Sequence, residues 1–187
     1  MMTLREERAA YYARNGFGED GGYSKWVDWL MLGPVPIPIP NPKARADAIA
    51  AHDASHLLAG YGTDWRGEFL ESAYELGSGC GRLWFAWVIN LHGMLMGALL
   101  LPRATLRAWR RGREALSVYD HDMEALLAEP VVELRRRLRV PDAPARPLRA
   151  WDVAVLSLQL TVAAVMAAAQ LGLVAALLWA VARWLGA

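Results

Sequence analysis

The chain has 187 residues, enough for one domain with a real hydrophobic core. It is 55% hydrophobic, with a mean hydropathy of +0.16 and a net charge of +1, a balance that gives no reason to expect a nucleic-acid partner. Its one cysteine, Cys80, excludes an intramolecular disulfide framework and a cysteine-rich zinc knuckle.

Residues 3–14 mix Glu and Arg in a helical pattern and lack the apolar run of a secretory signal, and the glycines of 16–22 break them off. An N-terminal helix and loop are therefore predicted over 1–22. Residues 23–32 carry Trp26, Val27, Trp29, Leu30 and Leu32 and predict a short apolar helix. From Pro34 to Pro42 every second residue is proline. Missing donors and a fixed φ predict an extended polyproline II segment, a rigid spacer lying along the domain surface.

Asn41 is the predicted N-cap and Pro42 the first position of a helix over 43–59, stopped by Gly60. Thr63 or Asp64 caps the next helix, which runs to about residue 76 and ends in the glycine-rich 77–81. Residues 84–101 form a third helix, stopped near Pro102, with Asn90 and His92 inside it. At this length it is borderline for crossing a bilayer and reads as a buried or lipid-facing helix of the domain. Further helices are predicted over 104–111, 114–127 and 129–138, and a Pro/Ala-rich stretch over 141–147. No strand alternation and no internal repeat is present. The expected fold is all-α: a helical domain over 23–144, a linker over 145–150, and a tail from 151 to 187.

Residues 153–182 contain no charge and only Ser157, Gln159, Thr161 and Gln170 as polar residues. A span needs about 20 apolar residues, so a C-terminal transmembrane helix is expected. Trp151 at one end and Trp179 and Trp184 at the other fit interfacial anchors. Arg137, Arg139, Arg146 and Arg149 precede the tail and only Arg183 follows it. The positive-inside rule then puts the globular part on the cytoplasmic side of a bacterial inner membrane or its equivalent.

Chemistry concentrates in the segment that holds His52, Asp53, His56, Gly60, Asp64, Gly67 and Glu68. His52 and His56, at i and i+4, share one helical face. Asp53 follows around the helix and flanks the same place. If Gly60 turns the chain back, Glu68 falls one turn into the next helix, opposite His56. Two imidazoles and two carboxylates suit a divalent iron or zinc ion, or manganese, rather than calcium. The set lacks the closed, cysteine-rich character of structural zinc sites.

These residues resemble a known signature. His52-Asp53-x-x-His56, eleven residues, then Glu68, with Gly60 and Gly67, is similar to that of the ubiquinone (coenzyme Q) biosynthesis protein family Coq-four. Pro102, the stretch from Ala108 to Arg113, Tyr119, and residues 134–138 before Pro141 resemble that family's later half. The resemblance implies a helical, membrane-associated protein that binds isoprenoid lipid. It also implies other quinone-biosynthesis proteins as partners, and His52, Asp53, His56 and Glu68 as metal ligands. The implied activity is oxidative decarboxylation of a polyprenylated hydroxybenzoate-type ring, in which a hydroxyl replaces the carboxyl group. The rival expectation is a non-catalytic prenyl-lipid-binding scaffold that gathers quinone-biosynthesis enzymes. Two departures stand out: residues 45–51 are small and Ala-rich, and the tail after Trp151 has no counterpart in the family pattern. Exposed apolar helices fit a homodimer.

Overall fold

The computed structural model describes residues 1–19, 21, 27–32, 35–40 and 42–186. Helices dominate: α1 (Leu4–Asn15), α2 (Lys43–Ala59), α3 (Trp65–Ser78), α4 (Trp84–Leu100), α5 (Pro102–Gly112), α6 (Met123–Ala128), α7 (Val131–Arg137) and α8 (Ala150–Trp184). A 3-10 turn, Val118–Asp120, precedes α6.

One antiparallel hairpin interrupts the helices. Strands β1 (Val27–Leu32) and β2 (Val35–Pro40) pair from Val27 opposite Pro40 to Leu32 opposite Val35. The helix expected over 23–32 is thus corrected over 27–32, while 23–26 and Asn41 lie outside the described residues. The proline-rich stretch is extended as expected, but it is paired rather than a bare spacer. Alternate prolines leave the remaining donors of Val35, Ile37 and Ile39 on one edge of the strand, and that edge can carry a ladder.

The helix boundaries around the site follow local chemistry. Thr3 caps α1 in a reciprocal capping box with Glu6. Gly60, at φ 80°, closes α2 in the left-handed conformation. Of the two expected caps for α3 it is Asp64 that serves, accepting from Gly67 N at 2.9 Å. The helix expected over 114–127 is corrected: Ser117 and Asp122 each cap a new start, which divides that stretch into the 3-10 turn and α6.

α3 is the centre of the bundle. On α4, a Cβ at Gly93 would sit 2.1 Å from Ser72 Oγ, and on α5 a Cβ at Gly112 would sit 2.0 Å from the Tyr74 carbonyl. Glycine leaves room for the Ser72 side chain at the first point and for the α3 backbone at the second. Trp109, Ala73, Leu76 and Met94 fill the core between them, and a second core of Leu4, Leu58, Leu126, Leu127, Leu134 and Leu138 lies under α1, α2, α6 and α7. α3 is held in place by α4 and α5, and it turns a row of glutamates toward α2.

Among the described residues one helix, α8, is long and apolar enough to cross a membrane. Its first turns are fastened to the domain. Asp152 accepts from Arg113 Nε at 3.2 Å and from Arg146 Nη1 at 3.1 Å, and Gln159 accepts from Trp109 Nε1 at 2.8 Å.

Candidate metal centre

α2 and α3 bring together His52, His56 and Glu68, whose ligand atoms all lie within 4.8 Å of one another. His52 Nε2 and His56 Nε2 are 3.0 Å apart. Glu68 bridges them, with Oε2 3.2 Å from His52 Nε2 and Oε1 3.5 Å from His56 Nε2. Metal–nitrogen bonds of roughly 2.0–2.1 Å place neighbouring ligand atoms about 3.0 Å apart at right angles and about 3.4 Å apart at tetrahedral angles. The three observed separations fall close to that range.

The outer partners settle which nitrogens face inward. His56 Nδ1 lies 3.1 Å from the Tyr61 carbonyl, which can only accept, so Nδ1 carries the proton. His52 Nδ1 lies 3.1 Å from Glu75 Oε2 and donates to that carboxylate in the same way. Both Nε2 lone pairs are then aimed at one point, and two lone pairs at 3.0 Å need a proton or a cation between them. Carboxylate–histidine and carbonyl–histidine pairs of this kind are the usual supports of metal-ligating imidazoles.

The electrostatics agree with this arrangement. Burial pushes the His52 imidazole down, but Glu75 and Glu68 outweigh it and hold its pKa well above the ordinary value. His56 is raised as well: burial works against the charge, and the hydrogen bond to Glu68 and the charge of Glu71 overcome it. Burial would raise Glu68, yet hydrogen bonds to both histidines pull it down to about 2. The same carboxylates that would favour a cation at this point also favour protons on the imidazoles, and a metal ion would compete with those protons.

Asp53 is not part of the cluster. Its Oδ2 accepts from Tyr12 Oη at 3.0 Å, which ties α2 to α1. Three of the four expected ligands converge, and the fourth faces a different helix.

Two acids escaped the sequence reading. Glu71 and Glu75 follow Glu68 at i+3 and i+7, and both are completely buried. Ser55 donates to Glu71 Oε1, and Asn90 Nδ2 donates to Glu75 Oε2 at 2.5 Å. Burial, and then the charge of Glu75, raise the Glu71 carboxyl, while His56 and His52 pull it back. The Glu-x-x-Glu-x-x-x-Glu spacing was the available signal, since it puts three acids on one face. Glu71 Oε2, Glu75 Oε1, Asn90 Oδ1 and Tyr119 Oη are buried without a hydrogen-bond partner among the described residues.

His52 also forms one wall of a narrow cleft of about 40 Å³, lined otherwise by Ala48, Ile49, Ala86, Ile89, Asn90 and Tyr119. The wall is mainly apolar, with Asn90 and Tyr119 as the polar residues beside His52. Three of the lining residues, Ala86, Ile89 and Asn90, come from α4.

Comparison with protein-family models, curated proteins and solved structures finds no match to this chain.

Proposed function

We propose that this protein is a membrane-anchored, metal-dependent enzyme of ubiquinone biosynthesis that oxidatively decarboxylates a polyprenylated hydroxybenzoate-type ring. One observation carries the reading: His52, His56 and Glu68 converge on one point, and His52 also walls an apolar cleft. Metal chemistry and a greasy substrate are thereby brought to the same place. The signature around these residues supplies the substrate class.

His52, His56 and Glu68 would hold an iron, zinc or manganese ion, with Asp53 as a fourth ligand if its carboxylate turns away from Tyr12. Such an ion, when bound, supplies Lewis acidity toward the ring carboxylate and, if redox-active, a route for dioxygen. The protein side of the chemistry is positioning. Glu75 and the Tyr61 carbonyl fix the two imidazoles, and Asn90 fixes Glu75. Asn90 and Tyr119 would stand beside the polar substituents of the ring, while Ala48, Ile49, Ala86 and Ile89 keep water from it. Glu68, with 42% of its side chain exposed, is the member through which ion and water exchange. The globular part would stand on the cytoplasmic face of a bacterial inner membrane, beside other enzymes of the same sequence of reactions.

The test is elemental analysis of the purified protein, followed by an assay with a prenylated hydroxybenzoate under air. Bound metal and turnover are expected, and both are expected to disappear in His52→Ala and Glu68→Ala. If these variants lose metal but still restore quinone synthesis in a deficient strain, the protein is a scaffold and the ion merely fastens α2 to α3. If they keep metal and turnover, the site is elsewhere.

A further inference from the structure

α8 does not hang from the domain by a flexible linker. It runs across the bundle and is fastened along its first half. Gln159 bonds both to Trp109 on α5 and to the Leu76 carbonyl of α3, at 2.8 and 3.1 Å. Ala163 is fully buried. The last polar contact is Gln170, whose Oε1 lies 2.9 Å from His92 Nε2 on α4. Beyond it, residues 171–181 are all exposed.

Length then decides how the domain sits. Residues 171–184, the part of α8 beyond this contact, rise about 21 Å at roughly 1.5 Å per residue. The hydrocarbon core of a bilayer is about 30 Å thick. The free part of α8 is short by about 9 Å, so a crossing must draw in the stretch around Gln170 and with it the α4 surface that Gln170 touches.

That surface suits lipid. α4 contains no charged residue, and Phe85, Ile89, His92, Met96 and Leu99 recur at four- and three-residue spacing along one face. Ile89, Met96 and Leu99 are 44, 42 and 68% exposed. His92, the one polar residue of the stripe, donates from Nδ1 to the Val88 carbonyl at 2.7 Å, and its Nε2 faces the side-chain amide of Gln170 at 2.9 Å. Exposed Arg82 and Arg103 lie just outside the two ends of the helix, so the apolar face between them carries no charge.

We infer that the outward face of α4 lies in the lipid leaflet that α8 enters, and that the cleft beside His52 opens onto that lipid. Ile89 belongs both to the outward stripe and to the cleft wall, which it shares with Ile49 of α2. A lipid-borne ligand therefore reaches His52 sideways from the bilayer, by parting Ile49 from Ile89. A prenylated ring is larger than the 40 Å³ cleft, so this parting accompanies its binding. The inference rests on α8 being a span, as the proposed function also assumes.

The experiment places spin labels on the full-length chain in vesicles of phosphatidylcholine and phosphatidylglycerol. Single cysteines replace Ile49, Ile89, Met96, Leu99 and, on the free part of α8, Val174. Leu100→Cys serves as a substitute for any variant that fails to fold by circular dichroism. Cys80 is buried, and the unsubstituted protein after labelling provides the blank. Relaxation by oxygen, which concentrates in lipid, is compared with relaxation by water-soluble chromium oxalate. Oxygen is expected to dominate at positions 89, 96, 99 and 174 and to exceed chromium oxalate at 49. Oxygen dominance at 174 with chromium dominance at 89, 96 and 99 would overturn the inference and leave the span intact. Chromium dominance at 174 would overturn both.

Discussion

Glu75 accepts from His52 Nδ1 at 3.1 Å, and this single contact turns the other ring nitrogen of His52 toward His56. Glu75 is itself held by Asn90 at 2.5 Å. Support of this kind is worth about 10–100-fold in metal affinity. Glu75→Gln, which keeps an acceptor, is expected near the lower end, and Glu75→Leu near the upper end. Competition against a chromophoric chelator measures both. Equal affinities in wild type and Glu75→Leu would mean that Glu75 does not orient the ligand.

The pH dependence has two signs. The Glu68 carboxyl is held down at about 2 by its hydrogen bonds to the histidines, against the effect of burial. Its contribution to stability is present above the unfolded value of about 4.3 and is lost as pH falls toward the folded one. His52 is raised despite burial, by Glu75 and Glu68, so its contribution is full below about 6.5 and is lost as pH rises through the raised value. The metal-free protein is therefore expected to melt highest in the mildly acidic window between. Metal affinity should move the other way and climb with pH, because each ion displaces protons. Calorimetric melting of chelator-treated protein, and titration of metal in buffers of different ionisation enthalpy, measure the two effects. A metal affinity that is flat with pH would count against displacement of histidine protons.

Metal should also stabilise the fold. At a free concentration of 100 times Kd, a ligand that binds only the native state adds about 2.7 kcal/mol. A zinc or iron(II) titration is expected to raise Tm progressively, and the rise should vanish in His56→Ala. A rise of the same size in the variant would place the ion elsewhere.

Ala48 stands on the cleft wall and is buried, so a larger side chain there projects into the space beside His52. Ala48→Leu is expected to cost about 1–3 kcal/mol in stability through overpacking. If the proposed activity holds, it should leave metal binding intact while raising KM or abolishing turnover of the prenylated hydroxybenzoate. Unchanged kinetics would remove the cleft from the substrate's path.

Asp64 connects a helix cap to the site. It caps α3 through Gly67 N at 2.9 Å, and Glu68 lies in the first turn that this cap holds. Asp64→Ala is expected to lower stability by about 1 kcal/mol by chemical denaturation. It should weaken metal binding more than Thr3→Ala, which removes the comparable cap of α1. Equal effects on the metal would mean that the first turn of α3 is held by packing alone.

Much of this arrangement was legible in the sequence because it depends on local rules. α2 covers Lys43–Ala59 and stops at Gly60 as expected, although Pro42 is its extended N-cap rather than its first helical residue. The i, i+4 spacing puts His52 and His56 on one face without help from any other helix, and the antiparallel turn brings Glu68 opposite. The hairpin of β1 and β2 was missed because the apolar pattern of residues 27–32 fits a helix as well as a strand. The partner strand, not the pattern, decided it. The break inside 114–127 was missed because Ser117 and Asp122 read as ordinary polar residues until a neighbouring helix gives them caps to make.

What the sequence determined by itself was the helical character of the chain, the apolar tail, and the pairing of two histidines with a glutamate across a turn. Each follows from spacing within one helix or one hairpin. Tertiary structure decided the rest. It turned Asp53 to Tyr12, brought Glu75 up behind His52, and laid α8 across α4 at Gln170 and His92. These contacts join residues 41, 23 and 78 positions apart. Such pairs are set by how helices pack, as where Gly93 and Gly112 let α4 and α5 close on α3.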